Sequence, residues 1–275
     1  MATGAAAVLG GRRVIRYLRM FRMFALSELQ FELEYRLNFI FVLLEMVLVV
    51  GTSVGAVLII FAHTTNLNGW TLPQMLVLIG VFYLIQGGNA LLFEPSFQRL
   101  MEHVRLGTLD YHLLKPVNTQ FIVSVRHMRV VRIPDVLLGF IVMGVGLAQL
   151  GAQVGPLDAL LFALALLCGL ALVYSLLLVL VTLSFWFVRV ENLLTIFWAF
   201  TDAGRFPLDV YPGWLRFTLS TVVPIGIAVT APSQAIASKI GPVEVALLAA
   251  GTVVAFTVAS AFWRLGLRNY TGASA

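Results

Sequence analysis

Long stretches with almost no charge recur along this chain of 275 residues, and they fix the solvent it must fold in. Crossing a hydrocarbon layer takes about 20 predominantly apolar residues in a helix, because no water is present there to pair the backbone N–H and C=O groups. Six stretches approach that requirement: 39–62, 74–93, 136–154, 157–188, 193–206 and 244–263. Hydrophobic residues make up 60% of the chain and charged ones 11%, more apolar surface than a soluble core hides. The expected fold is an all-α membrane protein with six transmembrane helices, forming one domain over 1–275. The fourth stretch is overlong and is expected to tilt or to extend past the bilayer. The fifth is short and is expected to run on into a broken segment.

Topology follows from the basic residues, which accumulate in short cytoplasmic loops. With both termini in the cytoplasm and six crossings, all but Arg205, Arg216 and Lys239 of the 18 basic residues fall inside. One crossing more or fewer strands Arg264 and Arg268 on the wrong side. The formal charge of +5 therefore reads as topology determinants and contacts to anionic membrane lipids, in a multi-pass protein of the cell membrane, rather than as a nucleic-acid surface. The region 1–38 is read as cytoplasmic. On a helical wheel Arg12, Arg16, Arg19 and Arg22 fall on one side, with Val14, Tyr17, Leu18, Phe21 and Phe24 opposite. That pattern is an amphipathic helix on the membrane surface, or one packed on a neighbouring protein. Arginines alternate with apolar residues from Arg12 to Arg22 and no uninterrupted apolar run follows them before Glu28, Glu32 and Glu34, so a cleavable signal is not expected.

The segment 206–240 is strongly apolar yet holds Pro207, Pro212, Gly213, Pro224, Gly226 and Pro232. Proline removes a donor and clashes with the preceding turn, so two short helices entering and leaving one leaflet fit better than a straight span. Irregular backbone at that depth survives only against protein or water. The loop 94–135 is long for a compact membrane domain, which predicts helices and a task of its own. At its centre Gly107 permits a turn or helix C-cap, Asp110 suits a helix N-terminus, and Pro116 stops the turn begun by Leu113 and Leu114. The product is a rigid elbow, or simply a solvated, lipid-anchoring loop.

Several chemistries lack their residues. The two lysines, Lys115 and Lys239, belong to no glycine-rich phosphate loop, so nucleotide hydrolysis by that route is not expected of this chain, nor any catalytic residue. His63, His103, His112 and His127 show no zinc-protease spacing, and those that share the loop read as surface histidines rather than a metal site. Cys168 is alone, which rules out an intramolecular disulfide.

Two strings carry a resemblance. Gly107-Thr108-Leu109-Asp110, then Leu113-Leu114-Lys115-Pro116-Val117-Asn118, resembles the cytoplasmic-loop motif of the ABC-2 family of transporter permeases, in its branch of six-span exporter-type subunits. Phe206-Pro207, then Tyr211-Pro212, Trp214, Leu215-Arg216, Pro224 and Pro232, is similar to that branch's segment after the fifth span. The resemblance implies that the N-terminal amphipathic helix lies along the inner membrane surface. It implies that a separate ATPase subunit, which binds the ATP and Mg, docks at Arg99, Arg105, Gly107, Asp110, Lys115, Pro116 and Asn118. It also implies re-entrant helices forming an outer gate at Phe206, Pro207, Tyr211, Pro212, Trp214, Pro224 and Pro232, and a second permease subunit, identical or a related paralogue.

Polar residues within the spans complete the expectations. Glu45 needs protonation, a partner or a wet cavity, as a structural group or as part of a pathway. Asp202 and Arg205 have ion-pair spacing on a helix. Gln86 and Asn89 sit beside Gly87 and Gly88, and Gly51 and Gly55 give a GxxxG spacing; both hint at helix packing. The expected function is export of a hydrophobic or amphipathic compound, driven by the separate ATPase. The rivals are an ion-coupled secondary transporter, for which Glu45 and Asp202 are scant provision, and a membrane anchor that recruits cytoplasmic proteins.

Overall fold

The computed structural model describes residues 15–30, 36–151, 154–187, 191–237 and 239–270, without the side chains of residues 36 and 191–193. Arg12, Val14, Glu32 and Glu34 of the sequence readings, and the basic residues Arg13 and Arg189 counted for the topology, lie outside that set. The described chain is helical, with a lone β-bridge between Leu67 and Trp70. We number the helices α1 (15–30), α2 (Arg36–His63), α3 (Leu72–Leu92), α4 (Glu94–Arg105), α5 (Asp110–Leu113), α6 (Thr119–Val125), α7 (Ile133–Leu150), α8 (Pro156–Thr182), α9 (Glu191–Asp202), α10 (Gly213–Phe217), α11 (Ile225–Ile236) and α12 (Pro242–Asn269).

Among the described residues, five helical stretches are long and apolar enough to cross a membrane: Leu37–His63, Leu72–Leu92, Val130–Leu150, Pro156–Phe185 and Pro242–Asn269. A sixth candidate exists if Gly213–Val222 and Ile225–Ile236, bent 88° from one another, are counted together. The stretch expected as the fifth span, 193–206, is shorter than a span needs. Helix α9 has 12 residues, about 18 Å at 1.5 Å per residue against a hydrocarbon core of about 30 Å. A 3-10 turn, Ala203–Arg205, follows it. Pro207 then ends the helix, because its ring disfavours the helical conformation in the preceding residue, and Phe206 is extended (φ −120°, ψ 149°).

The helix starts are locally encoded. The Thr71 N–H is accepted by Gln74 Oε1 at 3.1 Å, the Gly155 N–H by Asp158 Oδ2 at 3.0 Å, and the Gly241 N–H by Glu244 Oε2 at 2.9 Å. In each case a side chain three residues on satisfies a donor that the helix leaves free, with proline just inside at residues 73, 156 and 242. Before α3 the chain reverses through Asn68 (φ 49°) and Gly69 (φ 87°), consecutive left-handed residues of the kind a tight two-residue hairpin requires. Buried hydroxyls inside the apolar helices bond their own preceding turn: Ser175 donates to Ala171 O at 2.6 Å, Thr201 to Phe197 O at 2.9 Å and Thr252 to Leu248 O at 2.8 Å.

Helix α3 is the axle of the bundle. Of its most apolar stretch 78% is buried, against 17% for α2. Its closest neighbour is α7, and the closeness comes from glycine. A Cβ on Gly80 would lie 2.5 Å from Met143 N, one on Gly139 2.9 Å from Gly80 O, and one on Gly146 2.7 Å from Pro73 O. The backbones touch, as small residues allow in a membrane where packing rather than the hydrophobic effect holds helices together. Helix α11 meets α8 in the same way, with a Cβ on Gly169 falling 2.5 Å from Ala228 O. By contrast, a Cβ on Gly51 or Gly55 meets nothing within 4 Å, so the GxxxG spacing of α2 makes no contact inside the chain. Val42, Met46, Val50, Ser53 and Val57 turn inward from α2 at helical intervals, and Leu44, Val47, Leu48, Leu58 and Ile59 remain exposed on its other sides.

Candidate functional site

At one end of the bundle, α4, α5 and α6 form a bracket outside the spans. Helix α4 closes on a two-bond C-terminal cap: Gly107, at φ 68°, donates its N–H to Val104 O at 3.2 Å, and Thr108 donates to His103 O at 2.9 Å. A left-handed residue is what that cap demands, and glycine supplies it without steric cost. The chain then drives Leu109 fully into the core and re-emerges as the single turn α5. Around it Leu106, Tyr111, Leu113 and Leu114 stay exposed, Tyr111 at 72% and Leu114 at 83%. Pro116 follows in a tight turn closed by the Val117 N–H on Lys115 O at 2.8 Å. Asn118 caps α6, its Oδ1 accepting the Phe121 N–H at 3.1 Å. The result is a buried leucine peg carrying an exposed apolar knuckle.

This elbow is wired to the bundle. Gln120 of α6 donates from Nε2 to Tyr174 Oη of α8 and to Ser260 Oγ of α12, each at 3.1 Å, and Ser124 Oγ shares a 2.9 Å hydrogen bond with the same tyrosine. Two helices far apart in the chain therefore meet α6 at one amide. Helix α1 braces the outside: Arg16 donates to Pro116 O at 3.4 Å, Tyr17 meets the Phe121 ring edge-on with centroids 4.7 Å apart, and Arg126 stands 5.2 Å over the Phe24 ring. His127 pairs with Glu28 of α1 at 3.3 Å. His103 Nδ1 lies 2.7 Å from Thr108 Oγ1, and its ring is 4.8 Å from that of His112. Burial, with the neighbouring His103, Lys115, Arg126 and His127, pulls His112 down to about 4.

The residues named from the sequence divide here. Gly107, Asp110, Lys115, Pro116 and Asn118 share the elbow. Arg105 ends α4 beside a groove whose other wall is Leu194, Thr195 and Trp198 of α9. Arg99 lies apart, paired with Glu102 at 3.0 Å in its own helix. Among the described residues no cluster of three or more His, Cys, Asp or Glu could hold a metal ion.

The opposite end carries the proline-rich segment, and its ties converge on Trp70 and Asp209. The indole Nε1 donates to Asp209 Oδ2 at 3.4 Å, and Lys239 Nζ lies 4.7 Å from the ring centroid. Asn68 donates to Asp209 O at 3.0 Å, and Arg216 Nη2 donates to the same carbonyl at 2.9 Å. Residues on both flanks of the bent pair therefore sit at one place. The Tyr211 hydroxyl reaches back to Ala203 O at 2.7 Å, with Phe206 and Pro207 in the extended stretch between. Pro212 opens α10, whose Trp214 is 71% exposed. Pro224 stands at the bend, and Pro232 is buried inside α11. Burial lowers the pKa of Lys239 from its ordinary value, and Asp209 opposes that shift.

Of the polar residues in the spans, Asp202 and Arg205 do pair, at 2.9 Å. Sequence spacing did not show that Arg205 also donates to Ser53 Oγ at 3.3 Å and stands 5.5 Å over the Phe82 ring, joining α2, α3 and the end of α9. Ser53 in turn lies 2.7 Å from Tyr83 Oη. Asn89 is fully buried with neither amide atom bonded within the described residues, and Gln86 Oε1 is likewise unbonded. Glu45 is exposed on α2, without a hydrogen-bond partner among the described residues. The Gln120–Tyr174–Ser260 node was missed entirely. Its only sequence signal is a hydroxyl in each of two apolar helices, which helices commonly satisfy internally.

No curated protein and no solved structure matches the chain. One family model, described as ABC-2 family transporter protein, matches residues 47–274, from the middle of α2 to beyond α12. That span takes in the elbow, the spans and the proline-rich segment together, and the chain belongs to the ABC-2 transporter family.

Proposed function

We propose that the chain is the membrane-spanning subunit of an exporter, driven by a separate ATPase that grips the elbow at residues 106–118. The observation that carries this reading is the exposed apolar knuckle of Leu106, Tyr111, Leu113 and Leu114 on a fixed mount. Apolar side chains held in water on a rigid, buried peg suit a partner's groove. ATP and Mg belong to that partner, and this chain hydrolyses nothing. Closure of the ATPases moves the elbow. The movement passes through capped α6 to the Gln120 amide, and from there to α8 and α12 at once.

In this reading the chain crosses the cell membrane six times with both termini in the cytoplasm. The fifth crossing is made by α9 together with the extended stretch after Arg205. Support comes from the groove that joins the start of α9 to α4, while Asp209 is at Trp70. The bent pair is re-entrant, because Asp209 before it and Lys239 after it both meet Trp70. It forms the outer gate. Helix α1 lies along the inner membrane surface. The outward face of α2, with Gly51, Gly55 and Glu45, takes the second permease subunit. Scarcity of charge in the spans favours a hydrophobic or amphipathic cargo.

The test is co-purification of the full chain with its ATPase from membranes. An ATP-hydrolysing subunit in fixed ratio is expected with the wild type, and an Asp110→Ala/Lys115→Ala variant should stay in the membrane while hydrolysis is uncoupled from transport. Labelling of a cysteine placed at Val117 or Asn118 from the outside of the cell would refute the orientation, and transport unchanged in the double variant would refute the docking.

A further inference from the structure

Between α1 and the bundle runs a cavity of about 850 Å³ that the transport reading leaves without a role. Its walls include Tyr17, Leu18 and Phe21 of α1, Gln120 and Ser124 of α6, Leu167, Leu170, Ala171 and Tyr174 of α8, and Phe256, Ser260 and Arg264 of α12. The α12 wall is graded. Phe256, Ser260 and Arg264 follow at intervals of four, so they share one face and span about 12 Å along the axis. An aromatic ring lies towards mid-membrane, a hydroxyl comes next and a cation stands at the rim. The opposite side repeats the grading, with Leu167 and Leu170 deep and the Gln120–Tyr174–Ser260 node at the hydroxyl level. Among the described residues, no acidic one lines the cavity. Arg264 is exposed and has no ion-pair partner among the described residues.

We infer that this cavity is a binding site for a phospholipid with an anionic headgroup, drawn from the bilayer leaflet on the α4–α6 side. Its acyl chain lies against Leu167, Leu170 and Phe256, its glycerol region meets the amide and hydroxyl band, and its phosphate faces Arg264. The order apolar, polar, cationic along one 12 Å face matches the order of groups in such a lipid and in no polar solute. The volume falls in the range of built ligand sites rather than of packing defects. Bound there, the lipid joins α1 to α12 beside the node that links the elbow to the spans.

Photo-crosslinking tests this. The full chain is reconstituted in phosphatidylcholine nanodiscs containing a diazirine-tagged phosphatidylglycerol or, in parallel, a diazirine-tagged phosphatidylcholine, and labelled peptides are mapped by mass spectrometry. The anionic probe is expected to label the α1 and α12 wall peptides in preference to the neutral one. Arg264→Gln should lower that labelling about fivefold, the effect of one basic residue at an anionic surface, while Arg264→Lys keeps it. Equal labelling by the two probes would mean ordinary boundary lipid and overturn the proposal. So would wall peptides that neither probe reaches while other lipid-facing peptides are labelled, since the cavity would then be closed or hold another occupant. The wild-type comparison decides the matter even if the variants fold poorly.

Discussion

Replacing Gly80 by alanine tests the packing argument at its tightest point. The added Cβ would lie 2.5 Å from Met143 N, 2.6 Å from Met143 Cβ and 2.7 Å from Gly139 O, where ordinary contact begins at 3.4 Å. Helices α3 and α7 must then part by about 0.9 Å along the shortest line, the difference between 3.4 and 2.5 Å. The obstacle is backbone and cannot swing aside as a side-chain tip would. Parting the helices there also loosens the contacts at Gly139 and Gly146, which lie on the same seam. Forcing extra volume into a packed core costs about 1–3 kcal/mol, and alanine's better helix propensity offsets about 1 kcal/mol at most. The net loss is therefore up to about 2 kcal/mol against the wild type, and about 1–3 kcal/mol against a control alanine that gains the same propensity without the clash. Reversible unfolding of the full chain in mixed micelles, followed by circular dichroism against the mole fraction of denaturing detergent, measures it. Gly144→Ala and Gly251→Ala are the controls, since a Cβ at either site meets nothing within 4 Å. Those two should be neutral or slightly stabilised. A Gly80→Ala protein that unfolds together with Gly144→Ala would refute the account of the seam.

Three other outcomes follow from the same geometry. Leu109→Ala should destabilise the chain by about 2–5 kcal/mol, because Leu109 is fully buried, whereas Leu114→Ala, at 83% exposure, should leave the unfolding curve within about 0.5 kcal/mol and instead weaken co-purification of the ATPase. Arg205→Leu should lower the melting temperature more than Asp202→Asn does, since Arg205 has contacts to Asp202, Ser53 and Phe82 while the Asp202 side chain is 58% exposed; equal melts would refute the three-way tie. Stability should fall as pH drops from about 6.5 towards 4, because His112 titrates near 4 in the fold and near 6.5 when unfolded, so the unfolded chain takes up the proton first. The same titration in His112→Gln should lose that part of the slope, and an unchanged curve would refute the assignment.

Much of the bundle was legible because hydrocarbon is an exacting solvent. Five of the expected stretches became α2, α3, α7, α8 and α12, with ends shifted by a few residues where capping side chains such as Asp158 and Glu244 carry a helix beyond its apolar run. The elbow was legible too, since Gly107, Pro116 and Asn118 each act on their own neighbours. At 193–206 the expectation of a short helix running on into a broken segment matches α9, whose 12 residues are followed by a 3-10 turn and the extended stretch that Pro207 imposes. Of the glycines named for packing, Gly87 and Gly88 do make close approaches, a Cβ on them falling 2.8 Å from Asp135 Cβ and 3.0 Å from Leu170 Cδ2, while Gly51 and Gly55 meet nothing inside the chain; the glycines of the seam, Gly80, Gly139 and Gly146, were not named, because their partners lie tens of residues away. Arg205 with Ser53, Trp70 with Asp209 and Gln120 with Ser260 were unreadable for that reason: each pair is more than 130 residues apart in the chain.

The sparing attachment of α2 has an evolutionary consequence. A helix that commits only a narrow inward stripe to its own bundle leaves the rest of its circumference without internal duties. Mutations there escape the demand to interlock with α3 and α7 and answer only to whatever lies alongside. Such a helix can acquire a new companion, or tune its fit to an old one, while the machinery behind it stays unchanged.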